Sequence, residues 1–215
     1  NAHRAVLTLE NQTYRQGSIG QAGLDTFHIN VPSGTALLKV LVYWHDYEAS
    51  TNASTALVNN LDFTLTDPGN TTYNPWVLDH TPNVSALSAP ATRGVDNLNN
   101  MEQVTLEAPT AGNYVLSIAG TNIPQGPQEY FVVYEFRDVG VAVTYPNGGE
   151  SFNPGETEKI RWDAEGNTGN WNIDYTTNGG ASWVIASSGL SGNRRYYDFN
   201  VPTTIQSGSV RFRVS

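Results

Sequence analysis

Apolar and polar positions alternate with a period of two through much of the chain, the pattern of strands with one buried face. Around residues 57–63 the sequence places Leu61, Phe63 and Leu65 on one side and Asn60, Asp62 and Thr64 on the other. One face therefore packs a core while the other carries polar groups. The same alternation predicts strands at 24–31, with Phe27, Ile29 and Val31 inward, and at 101–106, 114–119 and 130–136. Residues 36–44 differ, being apolar at nearly every position, which predicts a central strand covered on both faces with Trp44 plugging the core. Residues 1–10 instead space Ala2, Val6 and Leu9 for a short amphipathic helix. A helix of that length persists only when docked.

Turn signals punctuate these runs at Pro32-Ser33-Gly34, Asp67-Pro68-Gly69-Asn70 and Pro109-Thr110-Ala111-Gly112-Asn113. Residues 77–100 show little periodicity, and a loop that long inside a compact domain is functional or pinned by something. About seven or eight strands in roughly 115 residues is the count of a jelly roll or related sandwich. A second module starts near Val139, with a strand read at Val210-Arg211-Phe212-Arg213-Val214 and a glycine hairpin turn at Thr176-Thr177-Asn178-Gly179-Gly180. Its last run reads as a sixth strand. Sandwiches of this kind have about seven, so a further strand is expected beyond Ser215. The fold class is thus all-β: a jelly-roll-like β-sandwich over 21–138, then a smaller β-sandwich over 139–215, with 1–20 forming a helix and linker.

With 215 residues the chain is long enough to bury a core without staples. It contains no cysteine, which removes disulfides and thiolate metal sites. A formal net charge of −9 argues against nucleic acid as a partner, since phosphate binding needs clustered Lys and Arg. No apolar run approaches the roughly 20 residues of a membrane span. No signal peptide opens the sequence, so a secreted precursor would carry one upstream of Asn1. The four histidines, His3, His28, His45 and His80, form no metal-binding pair, and no nucleophile motif of the Gly-x-Ser-x-Gly kind occurs. Nothing in the sequence predicts catalysis by this chain.

Hard oxygen donors are the remaining chemistry, and they suit calcium. The first expected set is Asp79, Asp96 and Glu102 with a carbonyl from Asn97, because the long loop needs an organiser. Asp46 and Asp62 form the second. The competing reading pairs Glu102 with Arg93 or hydrogen-bonds it to loop amides, and spends Asp46 and Asp62 on turn and cap hydrogen bonds. Trp76, Trp171 and Trp183 are candidates for a carbohydrate platform, and Asn11, Asn52, Asn70 and Asn83 each begin a glycosylation sequon.

Several motifs, taken in order, resemble one family. Trp44-His45-Asp46, an Ala- and Ser-rich loop, Leu57-Val58-Asn59-Asn60-Leu61-Asp62, Asp96-Asn97-Leu98-Asn99-Asn100-Met101-Glu102 and Pro124-Gln125-Gly126-Pro127-Gln128 resemble the β-sandwich that follows the catalytic domain in secreted subtilisin-like serine proteases. Asn1-Ala2-His3-Arg4-Ala5-Val6 is similar to the last helix of such a catalytic domain. The family pattern has Asp where this chain has Asn60. The resemblance covers residues 1–137 and implies a non-catalytic region of a secreted endopeptidase, partnered by a subtilisin-like catalytic domain in the same precursor. The later Val141-Ala142-Val143-Thr144-Tyr145-Pro146-Asn147-Gly148-Gly149-Glu150, Lys159-Ile160-Arg161-Trp162 and Asn178-Gly179-Gly180-Ala181-Ser182-Trp183 resemble immunoglobulin-like spacer or adhesive modules of bacterial secreted enzymes, which implies an immunoglobulin- or fibronectin-III-like β-sandwich over 139–215. The alternative function is a calcium-dependent module that binds polysaccharide or a cell surface.

Overall fold

The alternating runs fold as strands in a computed structural model that describes residues 2–166, 169–205 and 210–215. The chain divides into two compact units, Asn1–Arg137 and Asp138–Ser215. The first runs α1 (Ala2–Glu10), β1 (Tyr14–Ile19), β2 (Leu24–Val31), β3 (Thr35–Trp44), β4 (Asn60–Thr66), β5 (Thr72–Tyr73), β6 (Trp76–Val77), α2 (Val84–Leu87), β7 (Thr92–Arg93), β8 (Met101–Glu107), β9 (Gly112–Asn122) and β10 (Gln128–Asp138). Its main strands form two four-stranded sheets, ordered β1-β10-β3-β8 and β2-β9-β4-β5. Apart from the β4–β5 hairpin, successive strands of these sheets switch from one to the other, which is the strand order of a jelly roll. The register sets Val42 opposite Glu102 in one sheet and Phe63 opposite Ile118 in the other. Between the sheets lie Leu38, Val40, Val42, Trp44, Leu61, Phe63, Leu65, Val104, Leu116 and Ile118, all essentially without solvent contact.

Four stretches depart from the sequence pattern. The strand expected at 57–63 starts only at Asn60, because the amides of Val58 and Asn59 are held by the Asp46 carboxylate instead of a neighbouring strand. Residues expected as linker contain β1, an edge strand that buries only Ile19. Gly17 is required there: a Cβ would lie 2.2 Å from the Tyr130 hydroxyl. The β3 run is not covered on both faces throughout, since Tyr43 is 36% exposed. The stretch 77–100 is less irregular than its sequence suggests, with a β6–β7 ribbon and α2 capped by Asn83, whose side chain accepts from the Ala86 amide. Asn1, part of the N-terminal resemblance, lies outside the described residues.

The second unit contains β11 (Gly140–Tyr145), β12 (Thr157–Glu165), β13 (Trp171–Thr176), β14 (Val184–Leu190), β15 (Tyr196–Asn200) and β16 (Arg211–Val214). These form two three-stranded sheets, β11-β12-β15 and β14-β13-β16. Trp162 and Trp171 meet edge to face in its interior at 6.0 Å between centroids, a geometry that the ring quadrupoles favour. Ile160, Phe199 and Val201 form a second small cluster.

Candidate functional site

At the C-terminal end of β3, the motifs of the first unit meet in one buried polar network. Asp46 leaves the strand with both carboxylate oxygens spent on backbone: Oδ2 accepts from Val58 N at 2.7 Å and Oδ1 from Asn59 N at 2.8 Å. Asn59 is fully buried. Its side-chain amide donates to the Gln125 carbonyl at 2.6 Å and to Gln128 Oε1 at 2.7 Å, while its Oδ1 accepts from Gln125 N. The Trp44 indole N–H donates to the Asn59 carbonyl at 2.9 Å, and Gln128 Nε2 donates to the His45 and Glu129 carbonyls. Three loops distant in sequence are thereby fixed. Each amide serves as donor and acceptor, which is what satisfying mixed backbone groups in a buried place demands.

A second, acidic group lies where β4 begins and β8 begins. β5 pairs only with Leu65 and Thr66, so the preceding amides of β4 on that edge lack a strand partner. Glu102, 2% exposed, supplies one: Phe63 N donates to its Oε2 at 3.1 Å. Asp96 turns the loop before β8 by accepting from Leu98 N at 2.9 Å and from Asn99 N and Nδ2. Asn97 Oδ1 accepts from Asn60 Nδ2 at 2.9 Å, Asn100 Nδ2 donates to the Trp44 carbonyl, and the Thr121 hydroxyl donates to Asp62 Oδ2. Burial pushes the Glu102 carboxyl up to about 8; the Phe63 amide opposes this, and the charges of Asp62 and Asp96 add to it.

The expected site residues are thus partly gathered. Asp62, Asp96, Asn97 and Glu102 come together, whereas Asp46 is committed to amides and Asp79 is exposed. The Asp79 carboxylate accepts from Thr81 N at 2.9 Å, two residues away, and hydrogen bonding by the Thr81 side chain and then by its backbone amide holds it below the usual carboxylate range. Among the described residues no three His, Asp or Glu side chains are grouped to hold a metal by themselves. The expected Glu102–Arg93 ion pair is replaced by other contacts: Arg93 donates to the Asn74 and Thr105 carbonyls and lies 3.7 Å over the Trp76 ring. Of the three platform tryptophans, Trp171 is wholly buried, Trp76 is 40% exposed with Arg93 stacked on its ring, and Trp183 lies under Arg213 at 4.5 Å.

The sequence places Asn59, Asn60 and Gln128 inside motifs but marks none of them as a site residue. An Asn-Asn doublet just ahead of an alternating run, and a Gln just ahead of another, were the signals. Their amides sit where strands end inside the molecule and loops need mixed donors and acceptors.

No protein-family profile matches the chain. Over 100 residues, 46% of the chain, it is 33% identical to a serine protease/ABC transporter B family protein, tagB, of Dictyostelium discoideum. The chain spans 5% of that relative's length. Among solved structures it overlays on Bacillus licheniformis lipase BlEst2 in propeptide form, at a TM-score of 0.36 and 10% identity, over 88% of this chain and 39% of that one. A Eubacterium rectale protein described as secreted gives a TM-score of 0.36 and 9% identity, over 95% of this chain and 67% of that one. Overlays this loose carry no argument. Among the described residues, no helix is long and apolar enough to cross a membrane.

Proposed function

We propose that the chain is the non-catalytic C-terminal region of a secreted subtilisin-like serine endopeptidase, whose jelly roll packs on the catalytic domain and stabilises it. The observation that carries the reading is the network around Asn59, in which motifs at 44–46, 57–62 and 124–128 resembling that family meet as one structural unit. The similarity to a serine protease/ABC transporter protein supports it.

The outer face of the β1-β10-β3-β8 sheet is a suitable docking surface. Tyr43 and Met101 face each other across β3 and β8, and with Phe131 and Val133 each is more than a third exposed. α1 lies against the same region, where Arg4, Ala5 and Thr8 border a groove with Leu41 and Val133. Covering those side chains would add favourable apolar burial at about 25 cal/mol per Å².

The test begins with the coding sequence upstream of Asn1, which should contain the Asp, His and Ser motifs of a subtilisin-like enzyme. The precursor should then lose thermal half-life of its peptidase activity when 21–138 are deleted, while the present chain alone cleaves nothing. An upstream region without those motifs, or a deletion that leaves the half-life unchanged, overturns the proposal.

A further inference from the structure

Among the described residues, three buried side-chain oxygens of the first unit have no hydrogen-bond partner: Asn60 Oδ1, Asp62 Oδ1 and Glu102 Oε1. They belong to one corner of the jelly roll. Asn60 and Asp62 are two residues apart on β4, and the amide of the next residue, Phe63, holds the other oxygen of Glu102. The remaining polar atom of each side chain is committed, Asn60 Nδ2 to Asn97 Oδ1 and Asp62 Oδ2 to the Thr121 hydroxyl. With Glu102 ionised, what each residue leaves over is an acceptor.

A corner with three spare acceptors calls for something that attracts oxygen lone pairs. Charge sharpens the choice. Two of the acceptors belong to carboxylates, and the charges acting on Glu102 are those of Asp62 and Asp96, both of its own sign. Arg93 offers no relief, since its guanidinium bonds carbonyls and stacks on Trp76. A proton held on Glu102 turns one of the three acceptors into a single donor that Asn60 and Asp62 would have to share, and water supplies protons for two acceptors at most. A divalent cation answers all three oxygens and the repulsion together.

We propose that Asn60 Oδ1, Asp62 Oδ1 and Glu102 Oε1 are protein ligands of a divalent cation that seeks oxygen, with the chemistry of calcium. Two carboxylates and an amide give an all-oxygen set, which disfavours zinc and copper. Calcium accepts irregular oxygen shells completed by water, whereas magnesium demands near-octahedral order. Asp96 lends charge but no ligand, because both its oxygens are occupied by the loop it turns. Asp79 and Asp46 play no part. The inference stands apart from the protease reading, so either can fail without the other.

Terbium luminescence on the full 215-residue chain tests it directly. Trp44, bonded to the residue before Asn60, is placed to sensitise a lanthanide at this corner. Excitation of tryptophan should give terbium emission that saturates and that millimolar calcium displaces, with magnesium far less effective. The melting midpoint should rise by roughly 5–10 °C from chelator to 10 mM calcium if the dissociation constant lies near 10⁻⁴ M. Glu102→Gln and Asp62→Asn should each weaken terbium binding at least tenfold, Asp79→Asn should leave it unchanged, and Asn60→Asp, adding a charge, should tighten it. If Glu102→Gln or Asp62→Asn does not fold, Asn60→Asp and the wild-type melts decide. Wild type with neither emission nor a shifted midpoint overturns the proposal, as does emission that ignores every substitution at 60, 62 and 102.

Discussion

Each of the two units buries a carboxylate, and they neutralise it differently. Asp174 in β13 of the second unit is 8% exposed and meets Arg213 across β16, which donates to its Oδ2 from Nε at 3.1 Å and Nη2 at 2.6 Å. The pair is complete within its own sheet. Glu102 of the first unit is more deeply buried, yet its one partner is a backbone amide and its charged neighbours are acids. The second unit carries the counter-charge for its buried acid, whereas the first leaves acids clustered at a loop junction and keeps Glu102 from ionising at neutral pH unless a counter-charge is supplied. The wider distribution agrees. Buried polar residues of the first unit, Asn59, Asn60, Asp96, Glu102 and Gln128, hold its loops, while the second unit is filled mainly by aromatic and aliphatic contacts.

The largest effects should come from the two cores and should separate the units. Trp44→Ala removes a wholly buried indole and the donor to the Asn59 carbonyl, and should destabilise the first unit by about 4 kcal/mol. Trp171→Ala should cost the second unit a similar amount, about 4 kcal/mol, through loss of its contact with Trp162 and its N–H bond to the Gly192 carbonyl. Hydrogen exchange resolved by segment is the readout. Loss of protection confined to 1–137 for the first variant and to 138–215 for the second is expected; protection lost throughout for either one breaks the division.

The next effect tests whether Glu102 is as poorly compensated as the comparison says. Its carboxyl is raised to about 8 in the folded protein from an ordinary value of 4.5, so between those pH values the folded state holds a proton that the unfolded state has released. Stability from this group is full below pH 4.5 and is lost as pH rises through 8. In chelator the melting midpoint should therefore fall across that window, and Glu102→Gln should flatten the slope. Calcium should oppose the fall, since metal binding favours the deprotonated ligand. A midpoint of the wild type that stays level from pH 5 to 8 in chelator would mean that the carboxylate is compensated after all.

How far these features could be read from sequence depended on whether the signal was local. Alternation in β2, β8 and β9 reports burial directly, so those strands were legible. β1 was not: Tyr14-Arg15-Gln16-Gly17-Ser18-Ile19 is an edge strand with one buried side chain, and its partner β10 lies over a hundred residues away. The acids of the candidate site were visible as residue types, but their grouping depends on the crossing of β4 and β8 at the jelly-roll corner. Asp79 looked equivalent to Asp96 in sequence, and only the fold separates one that caps an exposed turn from one that turns a buried loop. Asn60 stands where the family pattern has Asp, and only the fold shows that its amide oxygen is among the unpartnered acceptors.

A smaller effect is expected where the second unit resolves its own charge. Arg213→Ala strands the Asp174 carboxylate, but the arginine side chain is 50% exposed and water can replace part of what it supplies. A loss of about 1 kcal/mol in denaturant unfolding is expected, with no response to calcium. A calcium-dependent midpoint in this unit would erase the contrast with Glu102.

Asp79→Asn should do least. The residue lies in an exposed turn, its carboxylate accepts from the Thr81 amide, and it is not among the charges that act on Glu102. An asparagine side chain keeps an oxygen in the same place and can accept the same bond, so the turn needs no rearrangement. The change in stability should stay within about 0.5 kcal/mol, the range of surface substitutions away from special features. Calcium response and terbium affinity should also be unaltered, because the 77–100 stretch is held by the β6–β7 ribbon, the Arg93 bonds and the Asp96 turn instead of by this side chain. A loss of calcium response in this variant would move the ligand set outward along the loop, away from the β4–β8 corner.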